Sequence, residues 1–303
     1  MLAVEMRGVH KRYRASGDAL RDLDLEVREG EAVALLGPNG AGKTTAISCL
    51  VDLVGPTRGT VALFGRPAAE PAIRARVGYL PQSVGFPDHY RADTLLAFHA
   101  ALLGIPPAAR AARVAEVLAR VDLQSAARER LARYSPGMLQ RLAFAQALLG
   151  DPDLLVLDEP TASLDPLARR RFSDILRDEK RRGKTILVSS HILSEVETIC
   201  DRVAILKAGV LVRSGRLVEL CLTGAVKLHV ARLASPSIES LVSAGAEVAL
   251  DAGGATVRCA DDAVRRSADE ILARHSIAIE RVEPERSSLE EVFVAAVTGS
   301  TAA

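Results

Sequence analysis

One stretch limits what this chain can fold into more than any other. Gly37-Pro38-Asn39-Gly40-Ala41-Gly42-Lys43-Thr44 satisfies the pattern GxxxxGK[ST], with Thr45 adjoining it. The apolar run 31–36 (EAVALL) precedes it and 43–54 (KTTAISCLVDLV) follows. The stretch therefore sits where a buried strand turns into a helix, the setting in which this pattern works. Its glycines let successive backbone N–H groups curl around phosphate oxygens, and the helix amino terminus adds the positive end of its dipole. Lys43 reaches the outer phosphates and the Thr44 hydroxyl is offered to Mg²⁺, so the stretch predicts a nucleoside triphosphate site. A chance glycine-rich turn is the alternative.

Two more apolar runs behave like buried parallel strands: 154–157, stopping at Asp158, and 185–189, stopping before Ser190 and His191. Helical stretches at 108–121 and 167–182 lie between or beside them, so the first 220 or so residues alternate in the α/β manner. In such a sheet, polar groups at strand carboxyl ends form a natural site. Asp158 and Glu159 end the run LLVLDEP at such a position, one carboxylate suited to a metal and the next to a water. Alone, two acids after a strand read as the start of a turn; beside a phosphate loop the chemical reading prevails.

The chain's 303 residues point to two domains. Past about residue 220 the pattern changes to β-α-β-β-α-β and a final helix, with a turn expected at Gly253-Gly254. That is the order of a ferredoxin-like α+β unit. The expected organisation is a nucleotide-binding domain over 1–220 and an accessory domain over 221–303. Lys and Arg total 39 against 38 Asp and Glu, so no global field is available to hold nucleic acid by charge alone. Cys49, Cys200, Cys221 and Cys259 are scattered without CxxC spacing, which predicts neither a zinc site nor a disulfide framework. The opening MLAVEMRGVHKRYR has no signal-peptide pattern, and no apolar run reaches membrane-spanning length, so a cytoplasmic protein is expected.

Three further features join the two motifs: Gln82 in 78–86 (GYLPQSVGF), the stretch Tyr134-Ser135-Pro136-Gly137-Met138-Leu139-Gln140-Arg141, and His191 after TILVSS. Together, over about residues 1–220, they resemble the ATP-binding cassette (ABC) transporter ATPases. The resemblance implies a P-loop NTPase fold over 1–220, an ATPase domain with a helical subdomain at about 85–150, and a head-to-tail homodimer that sandwiches two ATP molecules with Mg²⁺. It implies that Tyr13 stacks on adenine, that Gly37, Asn39, Gly40, Ala41, Gly42, Lys43, Thr44 and Thr45 bind the phosphates, and that Gln82 stands near Mg²⁺ and the attacking water. Asp158 then orients the metal, Glu159 is the general base, and His191 contacts the γ-phosphate. Asp165, in the stretch 162–165 (ASLD), couples the two sites, while Ser135 and Gly137 bind the γ-phosphate held by the other subunit.

Each of these has an ordinary alternative: a surface aromatic for Tyr13, a loop polar group for Gln82, a helix cap or core histidine for His191. The signature stretch departs from the family's LSGGQ at Tyr134, Pro136 and Met138. Ser135 can still cap the following helix with Pro136 in its first turn.

The stretch Leu95 to Ile105 is similar to the family region that receives a membrane partner, or is ordinary core. Since no span is expected in this chain, the resemblance implies a separate transmembrane permease and a place on the inner face of the cytoplasmic membrane. The tail 287–293 (SSLEEVF) is similar to ABC-2 type exporters, among which the chain most resembles the ATPases serving nitrous oxide reductase maturation. An importer ATPase, or a soluble ABC ATPase acting on ribosomes or nucleic acid, is the rival reading. The C-terminal domain regulates, or simply dimerises or docks.

Overall fold

The computed structural model describes residues 1–15, 17–251 and 254–299. They form two units, Met1–Leu217 with the segment from Phe293, and Val218–Val292.

The larger unit opens with β1 (Leu2–Tyr13) and β2 (Gly17–Arg28), paired antiparallel. In β2 the run Leu23, Leu25, Val27 is buried while Asp22, Asp24 and Glu26 are exposed, the period-two signature of a strand with one wet face. Next come β3 (Ala32–Leu36), the loop 37–42 and α1 (Lys43–Leu50). Strands β4 (Arg58–Leu63) and β5 (Arg66–Pro67) complete a four-stranded sheet in the order β2-β1-β4-β5. The short α2 (Pro71–Arg74) leads to β6 (Val77–Leu80), followed by α3 (Ala92–Leu102), α4 (Pro107–Arg120) and α5 (Pro136–Leu148). After them run β7 (Leu154–Asp158), α6 (Pro166–Arg181), β8 (Thr185–Ser189), α7 (Leu193–Ile199), β9 (Arg202–Lys207) and β10 (Val210–Arg216), and the short α8 (Leu217–Leu220) falls at the boundary between the units.

Six of these strands make one sheet in the order β10-β9-β3-β8-β7-β6, parallel throughout except at the β9-β10 edge. Every residue of β3, β7 and β8 is buried, as a parallel strand covered on both faces demands. Val33, Leu35, Val156 and Leu187 pack in one apolar cluster with Ile47 and Leu50 of α1 and with Val4, Leu20 and Leu25 of the antiparallel sheet. The shared strand direction puts the loops after β3, β6, β7 and β8 at one edge, where the candidate residues lie.

In the smaller unit β11 (Leu222–Val230), α9 (Ser235–Ser243), β12 (Glu247–Asp251), β13 (Gly254–Cys259), α10 (Asp262–Arg274) and β14 (Ile279–Arg286) follow one another. The helix α11 (Leu289–Thr298) comes last, and from Phe293 on it is counted with the larger unit. The sheet runs β12-β13-β11-β14, each neighbour antiparallel. Asp251 pairs with Gly254, so a hairpin does form here, although Gly253 itself lies outside the described residues. Leu228, Val230, Val257 and Cys259 pack beneath Leu241 of α9 and Ala268 and Leu272 of α10. On the other face Arg258 donates to both Glu285 oxygens, at 3.0 and 2.9 Å.

Candidate active site

The loop between β3 and α1 is shaped by backbone positions that a side chain would spoil. Gly42, at φ 105°, is the N-cap of α1, and a Cβ there would lie 2.6 Å from the Ala19 carbonyl oxygen. At Gly37 (φ 156°) a Cβ would meet the Leu206 carbonyl oxygen at 2.5 Å. No side chain caps α1, so the first N–H groups of the helix remain available to an anion. Lys43, only 7% exposed, folds back into this cradle. Its ammonium donates to the Gly37 carbonyl at 2.7 Å and stands 3.6 Å from Glu159 Oε1. Thr44 and Asn39 are exposed and Thr45 half-buried.

At the end of β7, Asp158 is fully buried. Its Oδ1 accepts from the Ser189 hydroxyl at 2.5 Å, whereas Oδ2 is buried with no hydrogen-bond partner among the described residues. A buried carboxylate oxygen left without a donor is costly unless something else, such as a cation or its water, satisfies it. The residues present therefore fit Mg²⁺. Among the described residues no cluster of three or more His, Cys, Asp or Glu could hold a metal alone, so a cation here must complete its shell with the Thr44 hydroxyl, phosphate oxygens and water. Burial, helped by the charge of Asp158, also pushes the Tyr79 phenol of β6 above its ordinary value.

Glu159, 8% exposed, takes a left-handed backbone (φ 48°). Its N–H donates to the Ser189 hydroxyl at 2.9 Å, and His191 Nδ1 lies 2.5 Å from its Oε2. One carboxylate thus faces a lysine and a histidine at once. The structure brings Lys43, Asp158, Glu159 and His191 together; Gln82, Ser135 and Tyr13 make no hydrogen bond to that cluster among the described residues. Gln82 is exposed two positions beyond β6, and Tyr13 is half-buried at the end of β1 with the Lys11 ammonium 5.2 Å from its ring centroid.

Ser135 caps α5 by accepting the Met138 N–H at 3.2 Å, and Pro136 occupies the first turn. Tyr134 is buried and its hydroxyl donates to the Ala126 carbonyl at 2.9 Å, which accounts for the aromatic at that position. A Cβ on Gly137 would lie 3.3 Å from the Ser163 carbonyl oxygen, placing the signature stretch against the segment before Asp165. Asp165 itself caps α6, accepting from the Leu167 and Ala168 N–H groups.

Four residues that sequence reasoning missed hold the loop after β7. Ser189 contacts both acids, Gln140 Nε2 donates to the Pro160 carbonyl at 3.1 Å, and the Thr161 hydroxyl donates to Glu195 at 2.8 Å. Ser189 left a signal as a hydroxyl ending an apolar strand, and Gln140 stands within the signature stretch, where no sequence pattern marks a role of its own for it.

The family model described as ABC transporter matches residues 20–162. A Nod factor export ATP-binding protein I from Burkholderia orbicola (strain AU 1054) is 42% identical over 211 residues, which is 68% of each chain. The chain belongs to the ABC transporter ATP-binding proteins. An ABC transporter ATP-binding protein of Nostoc sp. (strain PCC 7120) is 46% identical over 204 residues, 67% of this chain, and the chain spans 61% of that relative's length. A dimeric, post-hydrolysis ATP-binding cassette bound to ADP and Pi is similar at a TM-score of 0.66 and 26% identity, over 71% of this chain and 98% of that one. The α/β P-loop fold expected of the ABC domain is thereby confirmed. In this ABC protein no helix among the described residues is long and apolar enough to cross a membrane.

Proposed function

We propose that the chain binds and hydrolyses ATP as the nucleotide-binding subunit of an ABC exporter, working as a homodimer on a separate transmembrane permease at the inner face of the cytoplasmic membrane. The observation that carries the chemistry is the meeting of Lys43, Glu159 and His191 beside the unpartnered Oδ2 of Asp158. In this reading the loop amides and Lys43 bind the phosphates, and Ser189 holds Asp158 with its free oxygen toward the cation. Glu159 takes a proton from water, and His191 donates to Glu159 or to the γ-phosphate. Bound Mg²⁺ supplies charge neutralisation at the phosphate oxygens. Most of the barrier is lowered by positioning and electrostatics, which is why a site tied down on several sides suits the task. Ser135 and Gly137 serve the nucleotide of the other subunit, Gln82 the water and metal, Tyr13 the adenine, and Asp165 the link between sites.

Two observations support a membrane partner and export. The stretch from Leu95 is split, with Leu95, Leu96 and Ala100 buried in the core while Phe98, Leu102 and Leu103 are 56%, 69% and 44% exposed. A relative at 42% identity is named as a Nod factor export protein. Service to nitrous oxide reductase maturation is the narrower proposal, resting on the stretch after Gln82. We read the smaller unit as a ferredoxin-like accessory domain, a reading its strand order supports.

The test is a Glu159→Gln variant, expected to bind ATP but to hydrolyse it at least about 100-fold more slowly. Tagged and incubated with ATP and Mg²⁺, it should retain a polytopic membrane protein from solubilised membranes. Near-normal hydrolysis would move the base elsewhere, and recovery of ribosomes or nucleic acid without a membrane protein would replace the transporter reading.

A further inference from the structure

We propose that Glu195 is a positioning residue for Glu159, acting through Thr161 to hold the segment that carries His191 in register with the base. The proposal rests on the reading of Glu159 as general base. The backbone of Glu159 is left-handed, a conformation that a non-glycine residue keeps only when its surroundings over-determine it. The loop 159–164 is secured internally by the Ala162 and Leu164 N–H groups, which donate to the carbonyls of Glu159 and Thr161. It is secured outward to β8 through Ser189, to α5 through Gln140, to α6 through Arg169 Nε donating to the Leu164 carbonyl, and to α7 through the Thr161–Glu195 bond.

The tie to α7 differs from the others in what it joins. The His191 side chain is 59% exposed, and its one hydrogen bond among the described residues is to Glu159. Between the end of β8 at Ser189 and the start of α7 at Leu193, the local support is the Ser190 hydroxyl accepting the Ile192 N–H. The distance between His191 and Glu159 is held on one side by Ser189, which stands two residues before His191 and bonds Glu159, and on the other by how α7 sits against the base loop. The hydrogen bond between α7 and that loop is donated by the hydroxyl of Thr161, two residues after Glu159 and only 3% exposed, to Glu195 in the first turn of α7. Without it the imidazole is carried on an exposed turn, free to leave the carboxylate, and a displacement of about 1 Å at reacting groups is enough to slow chemistry by one to two orders of magnitude.

The experiment is steady-state ATP hydrolysis by the full chain, with affinity for a fluorescent ATP analogue and melting temperature measured alongside. Glu195→Ala and Thr161→Val should each lower kcat about tenfold while KM and nucleotide affinity stay within about twofold. The double variant should be no slower than either single one, because both remove the same bond. Glu195→Gln, whose amide oxygen accepts the same hydroxyl, and Thr161→Ser, which keeps the donor, should restore the rate. Should Glu195→Ala fail to fold, Thr161→Val against Thr161→Ser reads the same bond. A wild-type kcat in Glu195→Ala, equal losses in the alanine and glutamine variants, or a multiplicative loss in the double variant overturns the proposal. Glu159→Gln is run in parallel: if it hydrolyses ATP normally the general-base reading falls, whereas if it is inert and Glu195→Ala is fully active only the positioning role falls.

Discussion

The loop after β3 tolerates substitution unevenly, and the reason is visible one residue at a time. Gly42 combines φ 105° with a Cβ path that ends 2.6 Å from the Ala19 carbonyl oxygen, so Gly42→Ala adds a collision to backbone strain. It should destabilise the chain by about 2–3 kcal/mol and abolish measurable ATP binding, read by thermal melting and nucleotide titration. Gly40 also has a positive φ, 78°, but a Cβ there meets nothing within 4 Å. Gly40→Ala should therefore cost only about 1 kcal/mol and leave binding detectable. Ser135, exposed at the start of α5, tests the cross-subunit role instead. Ser135→Arg should keep single-site nucleotide binding and lose cooperative hydrolysis; unchanged turnover in that variant would falsify its assignment to the partner's nucleotide.

Among the elements, the junction of α5, β7 and β8 is held by charge. Asp151, in the turn before β7, pairs with Arg182 at 3.0 Å and Lys184 at 3.4 Å. Partial burial raises its carboxyl, but Lys184 and Arg182 outweigh that and hold it below its ordinary value. A lowered folded-state pKa contributes stability above the unfolded value of about 3.9, and that contribution is lost as pH falls through the lower folded value. Asp151→Asn, which tolerates the left-handed backbone found there (φ 50°), should thus melt about 1–2 °C below the wild type at pH 7, a gap that closes below about pH 3. Legibility varied by element for physical reasons. Strands β3, β7 and β8 could be read because they are buried on both faces and so run uninterrupted in apolar residues. The sheet of β1, β2, β4 and β5 was not read, since RDLDLEV in β2 alternates charge with leucine and carries half the signal. Among site residues, Lys43, Asp158, Glu159 and His191 stand in linear motifs. Gln140 and Glu195 act across 20 and 34 positions of sequence, and a glutamine or glutamate on a helix is ordinary until the fold shows what it touches.

The whole molecule has a separate apolar core in each unit, and its four buried cysteines report on both. Burial pushes the Cys200 thiol up to about 12, and raises Cys49 and Cys259 as well. Thiolate is the reactive form, so these three should not be alkylated within minutes in the native chain at pH 8. In rising urea, Cys221 and Cys259 of the smaller unit should label before Cys49 and Cys200, because a short domain buries a smaller share of its surface. Mass spectrometry of the labelled peptides checks the order, and simultaneous labelling would mean that the units unfold together. The twisted backbone at Glu159 has a consequence for the heritable fate of the chain. Asparagine accepts that conformation more readily than glutamine, so Glu159→Asn should melt above Glu159→Gln although both lack the carboxylate. Among descendants that had already lost the base, selection for heat resistance alone, with no screen for turnover, would then keep asparagine over glutamine at this position, and the choice would record the shape of the backbone rather than the chemistry once done there.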